Sequence, residues 1–301
     1  MNPSHTARQW RLPLAVGTLI AASGLVFGGM AVSSAHESGH HATSPHGVSH
    51  RAANQHARSH VTNPTPAPNA PAPKHGDRIP NVTTVENQIK AYYGSVAGNV
   101  PGIGAVTLPS PSSNYAKELA GIEKHARAYL ARAIHKSSAA KPAVVFDIDD
   151  TTLNTYDYEI FSQFAYNPTT NAQFVNAKAF PAVFGMPAMV NWAASKGYTV
   201  LFITGRPEAQ RTATAANLAD AGYGVATDTA HLFLKPATVP SYLHCAAVTT
   251  CTTIEYKSGT RAYLQSQGYK IIADFGDQFS DLKGGAAGRQ FKLPNPMYYL
   301  P

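Results

Sequence analysis

Ala143-Val144-Val145-Phe146-Asp147-Ile148-Asp149-Asp150-Thr151-Thr152-Leu153 sets a short apolar, β-branched run directly against three carboxylates. A run of this kind predicts a central strand buried on both faces, as in a parallel sheet. Asp147, Asp149 and Asp150 then lie at its C-terminal end, where open α/β sheets place their ligands. Carboxylates this close raise one another's pKa unless something positive sits between them. A divalent cation is the simplest neutraliser, and Mg²⁺ favours a few carboxylate oxygens together with water and phosphate. A helix N-cap would use one of these aspartates at most, so the cluster predicts a metal or phosphoryl site.

The same layout recurs downstream. Thr199-Val200-Leu201-Phe202-Ile203 is a second apolar run, ending in Thr204-Gly205-Arg206-Pro207-Glu208. Pro207 suits a first helical position and Glu208 a first turn, with the helix stopped by Gly222. A hydroxyl and backbone amides at such a helix start form an anion cradle. His231–Leu234 is a third short strand, ending at Lys235, and a helix from about Ile254 toward Gly268 carries Lys257. Either lysine could bring positive charge to the site. Tyr269–Phe275 is the fourth strand and runs into Gly276-Asp277-Gln278-Phe279-Ser280-Asp281. Four strand–helix units with carboxylates, a hydroxyl and a lysine at strand ends predict an α/β fold: a doubly wound, Rossmann-like, mainly parallel sheet with its site along one edge.

Other segments read as cover for that sheet. Thr83-Thr84-Val85-Glu86 has the form of a capping box, followed by a helix through Ile89 and Tyr92. A Gly/Pro-rich connection, 94–111, leads to a helix from about Asn114 with Tyr115, Leu119, Ile122, Ala126, Tyr129, Leu130 and Ile134 on one stripe. After the first motif strand comes a small aromatic-rich insertion (Tyr156, Tyr158, Phe161, Phe164, Tyr166, Phe174, Phe180 and Phe184), placed to wall the site, although core filling accounts for most of these rings. A further helix is expected from about Pro187 to Lys196.

The N-terminal part has a different character. Arg8 and Arg11 precede an uncharged stretch from Leu12 to His36, and Ser33-Ser34-Ala35 offers small residues for cleavage. Residues 1–35 therefore read as a secretory signal peptide, or as an N-terminal anchor if uncleaved. Membrane association is expected only in the second case. Residues 36–81 are His-, Pro- and Ala-rich with few large apolar side chains, the composition of a disordered tether. Residues 82–301 form the folded domain. Export to an oxidising compartment makes Cys245 and Cys251 disulfide partners.

Charge excludes little. The formal net charge is +7, of which residues 1–80 contribute +4 through six Lys/Arg against Glu37 and Asp77, leaving +3 for the rest. No Lys/Arg run suggests a nucleic-acid surface, so no nucleic-acid polymer is expected as partner.

In order, Asp147-Ile148-Asp149-Asp150-Thr151, Thr204-Gly205-Arg206, Lys257 and Gly276-Asp277-x-x-x-Asp281 resemble the four motifs of the haloacid-dehalogenase-like (HAD) superfamily. Phe146–Thr151, Phe202–Glu208, Tyr256-Lys257-Ser258 and Gly276–Leu282 resemble in detail its subfamily IIIB, the class B-type secreted acid phosphatases and vegetative storage proteins. Thr152 stands where leucine is expected and Phe279 where tryptophan is commoner, and neither position touches the chemistry. The resemblance covers roughly 82–301 and implies a secreted, Mg²⁺-dependent phosphomonoesterase acting on a small-molecule phosphate ester. It implies Asp147 as nucleophile, Asp149 as general acid/base, and Thr204 and Lys257 as phosphoryl ligands. It also implies Mg²⁺ held by the Asp147 carboxylate, the Asp149 backbone carbonyl and Asp277, with Asp281 and Arg206 in supporting positions. The alternatives are a catalytically idle binding or storage protein on the same fold, or a surface metal-capture protein working through the histidines.

Overall fold

The computed structural model describes residues 79–136, 141–247 and 249–300. The expected signal segment, and the expected tether apart from its last residues, lie outside the described residues. The first helix, α1 (Val82–Tyr93), is followed by a hairpin of β1 (Val96–Val100) and β2 (Gly104–Leu108) and by α2 (Asn114–Lys136). Then come β3 (Lys141–Phe146), α3 (Tyr156–Ser162), α4 (Pro168–Asn176), α5 (Met186–Ser195) and β4 (Thr199–Pro207). The remaining elements are α6 (Arg211–Asp220), β5 (Leu232–Lys235), α7 (Thr253–Ser266), β6 (Tyr269–Gly276), α8 (Phe279–Leu282) and β7 (Arg289–Lys292).

The main sheet has five strands in the order β5-β4-β3-β6-β7, all parallel, with β3 at its centre as the apolar run predicts. Strand side chains alternate between two cores. Val144, Phe146, Val200, Phe202 and Phe275 pack with Leu119 and Leu130 of α2 and Met189 and Val190 of α5. Ala143, Val145, Leu201 and Ile203 pack with Tyr256 and Leu264 of α7. Helices on both faces make the sheet doubly wound. A row of rings ties the strands together on the first face. Phe146 lies 6.4 Å from Phe202 and stacks at 4.4 Å on Phe275, which stacks at 4.8 Å on Phe291, one ring from each of four strands. Such cross-strand aromatic contacts hold the register that aligns the strand ends.

Four local expectations are corrected. α1 is capped by Asn81, whose Oδ1 accepts from Thr84 N at 3.3 Å, because the helix starts two residues earlier than the Thr83–Glu86 box requires. The 94–111 connection contains the β1–β2 hairpin, which turns through Gly102 and Gly104 at φ 83° and 101°, angles that glycine adopts without strain. Pro207 ends β4 opposite Lys235 and does not open a helix; a 3₁₀ turn, Glu208–Gln210, intervenes before α6. β7 is a fifth strand hidden in Arg289-Gln290-Phe291-Lys292, which shows no apolar run because an edge strand needs to bury only one side. No helix among the described residues is long and apolar enough to cross a membrane.

Candidate active site

The parallel register brings the ends of β3, β4 and β6 together. Asp147 directly follows β3, is 6% exposed, and is anchored by its own N–H to Phe275 O at 3.0 Å. α7 opens on a capping box in which Thr252 Oγ1 accepts from Glu255 N at 3.1 Å and Glu255 Oε2 accepts from Thr252 N at 2.8 Å. That cap fixes the first turn, and Lys257 follows directly after it with only 3% exposure. Its ammonium donates to Asp147 Oδ1 and, at 2.6 Å, to Asp281 Oδ1. Asp281 also closes the start of α8 by accepting from Gln278 N at 2.8 Å through Oδ2. Gly276 makes room for this: a Cβ there would lie 2.3 Å from that of Asp281.

Asp147, Asp277 and Asp281 each bring a carboxylate oxygen to within 4.8 Å of the others. Burial works against the charge on Lys257, but Asp147 and Asp281 more than offset this and raise its pKa. Burial pushes Asp147 well above the usual carboxylate range, and Lys257 opposes the shift. Asp277 is raised to about 8, first by burial and then by the charges of Asp281 and Asp150. Three carboxylates around one ammonium leave the cluster short of positive charge. An all-oxygen donor set with that deficit fits a hard divalent cation.

At the rim the Arg206 guanidinium grips Asp149, with Nη2 to Oδ1 at 2.6 Å and Nε to Oδ2 at 3.0 Å. Arg206 is fixed by Thr214 Oγ1 at 3.0 Å and by the Phe180 ring at 5.3 Å, while the Asp149 side chain keeps 31% of its surface exposed. Thr204, fully buried, accepts from Arg206 N at 3.1 Å through Oγ1, and the Phe146–Phe202 register sets it past the same sheet end as Asp147. Of the two candidate lysines, Lys257 joins the carboxylates. Lys235 instead donates to Cys251 O at 3.1 Å, beside the Cys245–Cys251 disulfide.

Asp150 turns the chain. At φ 52° it accepts from Thr155 N at 3.0 Å, Thr155 Oγ1 at 2.5 Å and the Tyr298 hydroxyl at 2.8 Å. Tyr298, Asn295 and Gln278 were not legible as site residues. Asn295 and Gln278 each donate a side-chain N–H to Asp277 Oδ2 at 2.7 Å. Asn295 and Tyr298 belong to a Pro-containing C-terminal tail whose sequence carries no motif; only their contacts reveal them.

Most of the insertion's rings fill the main core, and it meets the site's rim through Phe180 under Arg206 and through Glu159, which feels the charge of Asp149. Asp157 is 1% exposed, its Oδ2 has no hydrogen-bond partner among the described residues, and burial raises it to about 7. Glu159 is raised to about 7 as well, by burial and then by Asp149 and Asp157. A carboxyl with a raised native pKa binds its proton more tightly folded than unfolded, so stability is lost as pH rises from about 4 through 7. Asp157→Asn is therefore expected to shrink the fall in melting temperature between pH 5 and pH 8 by about 5 °C, since the roughly two pH units of that window below the native pKa correspond to at most about 3 kcal/mol. An unchanged difference would show that Asp157 does not hold its proton in the native state.

Comparison with known proteins gives this geometry a family. The described helices and sheet align with the class C acid phosphatase from Bacillus anthracis at a TM-score of 0.54 and 21% identity, over 72% of this chain and 87% of that one, a likeness of fold. A stem 28 kDa glycoprotein of Glycine max is 36% identical over 53% of this chain and 61% of its own length, so less than two thirds of that relative is matched. Acid phosphatase 1 of Solanum lycopersicum is 28% identical over 64% of this chain and 76% of its own, and vegetative storage protein 1 of Arabidopsis thaliana 31% over 52% and 55%. The model for subfamily IIIB matches residues 105–301, a span that begins one residue into β2 and holds every later element together with all the clustered aspartates and Lys257. On that match the chain belongs to the HAD superfamily, subfamily IIIB (Acid phosphatase).

Proposed function

We propose that the protein is an exported, Mg²⁺-dependent phosphomonoesterase that works through an aspartyl-phosphate on Asp147. The observation that carries this reading is the buried arrangement of Asp147, Lys257 and Asp281 with Asp277 close by. An Asp147 oxygen attacks the phosphorus in line as the bond from phosphorus to the ester oxygen breaks. Asp149, held at the rim by Arg206, gives its proton to the departing alkoxide. A water then loses a proton to Asp149 and attacks the same phosphorus. The acyl phosphate P–O bond breaks, inorganic phosphate leaves, and Asp147 is restored. Lys257 and the Thr204 hydroxyl are the donors for the phosphoryl oxygens, and Asp281 keeps Lys257 aimed. Asp147, the Asp149 carbonyl and Asp277 would hold Mg²⁺, which when bound offsets the repulsion between the nucleophile and a phosphate dianion.

Export is supported by the N-terminal sequence and by the disulfide, which persists in oxidising compartments. The substrate expected for such a site is a small phosphate monoester. The storage-protein relatives favour a second reading, a catalytically idle member of the fold; the full set of motif residues speaks against it here.

The test is hydrolysis of p-nitrophenyl phosphate by the full-length chain. Stripping with EDTA is expected to remove at least about 90% of the rate, and Mg²⁺ to restore it. Full activity after metal stripping would sink the metal dependence. No hydrolysis of any phosphomonoester by the parent would favour the idle reading.

A further inference from the structure

The C-terminal segment does more than end the chain. Leu293, fully buried, donates its N–H to Gly276 O at 2.9 Å and so continues from β7 alongside the end of β6. Met297 is 7% exposed and belongs to the main core. Tyr298 reaches Asp150, and Leu300 is tied at both backbone groups: its N–H donates to Gln278 Oε1 at 3.1 Å and its carbonyl accepts from Ser280 Oγ at 3.3 Å. The tail thus lies over the strand ends that carry Asp150 and Asp277.

Within the tail, Asn295 has one orientation. Its Oδ1 accepts from Met297 N at 2.9 Å, which leaves the amide nitrogen to face Asp277 Oδ2 at 2.7 Å. A flipped amide would lose both bonds and set oxygen against oxygen. Gln278 Nε2 donates to the same Oδ2 at 2.7 Å. Two amide donors on one oxygen hold the Asp277 carboxylate against rotation, while among the described residues Oδ1 accepts a single hydrogen bond, from Thr151 Oγ1 at 3.3 Å. Gln278 is local, next to the aspartate it holds. Asn295 comes from 18 positions away and depends on the whole tail being seated.

We propose that Asn295 is a positioning residue for cation binding: the C-terminal tail delivers its amide to Asp277 and aims the other carboxylate oxygen at the cluster shared with Asp147. This rests on the divalent-cation reading of the site. Groups that orient a metal ligand this way typically contribute a factor of 10 to 100 in metal affinity. The substrate-facing groups Thr204, Lys257 and Asp149 take no hydrogen bond from Asn295 among the described residues, so its removal acts on cation uptake rather than on phosphate contacts.

The experiment is Mn²⁺ binding by the full-length protein, followed through the electron paramagnetic resonance signal of free Mn²⁺ without substrate. Asn295→Ala is expected to weaken binding by about ten-fold. Asn295→Ser, polar but too short to reach Asp277, gives the same loss and stands in should the alanine variant fail to fold. Tyr299→Ala, at a half-exposed tail position with no bond to a carboxylate among the described residues, reports on general loosening and binds as the parent does. If the parent binds Mn²⁺ and both Asn295 variants bind within two-fold of it, the inference is overturned while the proposed function stands. If the parent takes up no Mn²⁺, the cation reading fails and the inference with it. Equal weakening in Tyr299→Ala would overturn it too, since the tail rather than the Asn295 amide would then be responsible.

Discussion

Asp147→Asn is expected to lower phosphomonoesterase turnover by on the order of 10⁴-fold or more, because the carboxamide is no nucleophile and the covalent route closes with it. The fold should survive the change. Asparagine is nearly the same shape, Lys257 keeps its bond to Asp281, and the loss of one carboxylate relieves a buried cluster already short of positive charge. The melting temperature of the variant should therefore equal or exceed the parent's. A second measurement isolates the chemistry. Quenching the parent in acid during turnover of labelled substrate should trap phosphate on the protein in a hydroxylamine-sensitive bond, and Asp147→Asn should trap none. A variant that keeps more than a hundredth of the parent's rate would rule out Asp147 as the attacking group.

What makes this prediction accessible from sequence is the shortness of the distances involved. β3, β4 and β6 each show an apolar run that ends in a chemistry-bearing residue, and in a parallel sheet those ends must converge. Asp147, Thr204 and Asp277 are thereby placed from local pattern plus topology, and Lys257 from the helix that follows β5. Contacts between side chains remote in sequence leave no such pattern. The Arg206–Asp149 pair spans 57 positions, and the Tyr298–Asp150 bond spans 148. Neither has a periodicity or a spacing to betray it. Asp150 illustrates the boundary. Its role in steering the turn follows from its position between strand and helix, yet the tyrosine that holds it arrives from the far end of the chain. β7 and the β1–β2 hairpin were hidden for a related reason: they are short and half-exposed, so burial imposes little on their composition. The resemblance assigns Asp281 no more than a supporting position. The structure puts one of its oxygens on the lysine and the other on a backbone amide.

Lys257→Met tests the electrostatic core of the site, since it removes the ammonium that sits among Asp147 and Asp281 while keeping an unbranched apolar stem. Loss of a preorganised donor to the transferring phosphoryl group is expected to reduce turnover by about 10³-fold. The effect on stability depends on pH, and its sign follows from burial. Asp147 is already pushed up by its surroundings, and the variant deletes the Lys257 charge that pulls it back down. Its native pKa rises further above the unfolded value, so the protonated native state is favoured at low pH and the deficit opens as pH increases. Breaking a buried pair by deleting one partner typically costs about 3–5 kcal/mol where the survivor must stay ionised. Lys257→Met should therefore melt close to the parent at pH 5 and well below it at pH 8. A divalent cation supplies the missing charge, so Mg²⁺ at pH 8 should raise the melting temperature of the variant more than that of the parent. Differential scanning calorimetry at both pH values, with and without Mg²⁺, decides the matter. Equal melting of variant and parent at pH 8 in EDTA would mean that the carboxylates around Lys257 need no neutralising charge, and the electrostatic account of the cluster would have to be abandoned.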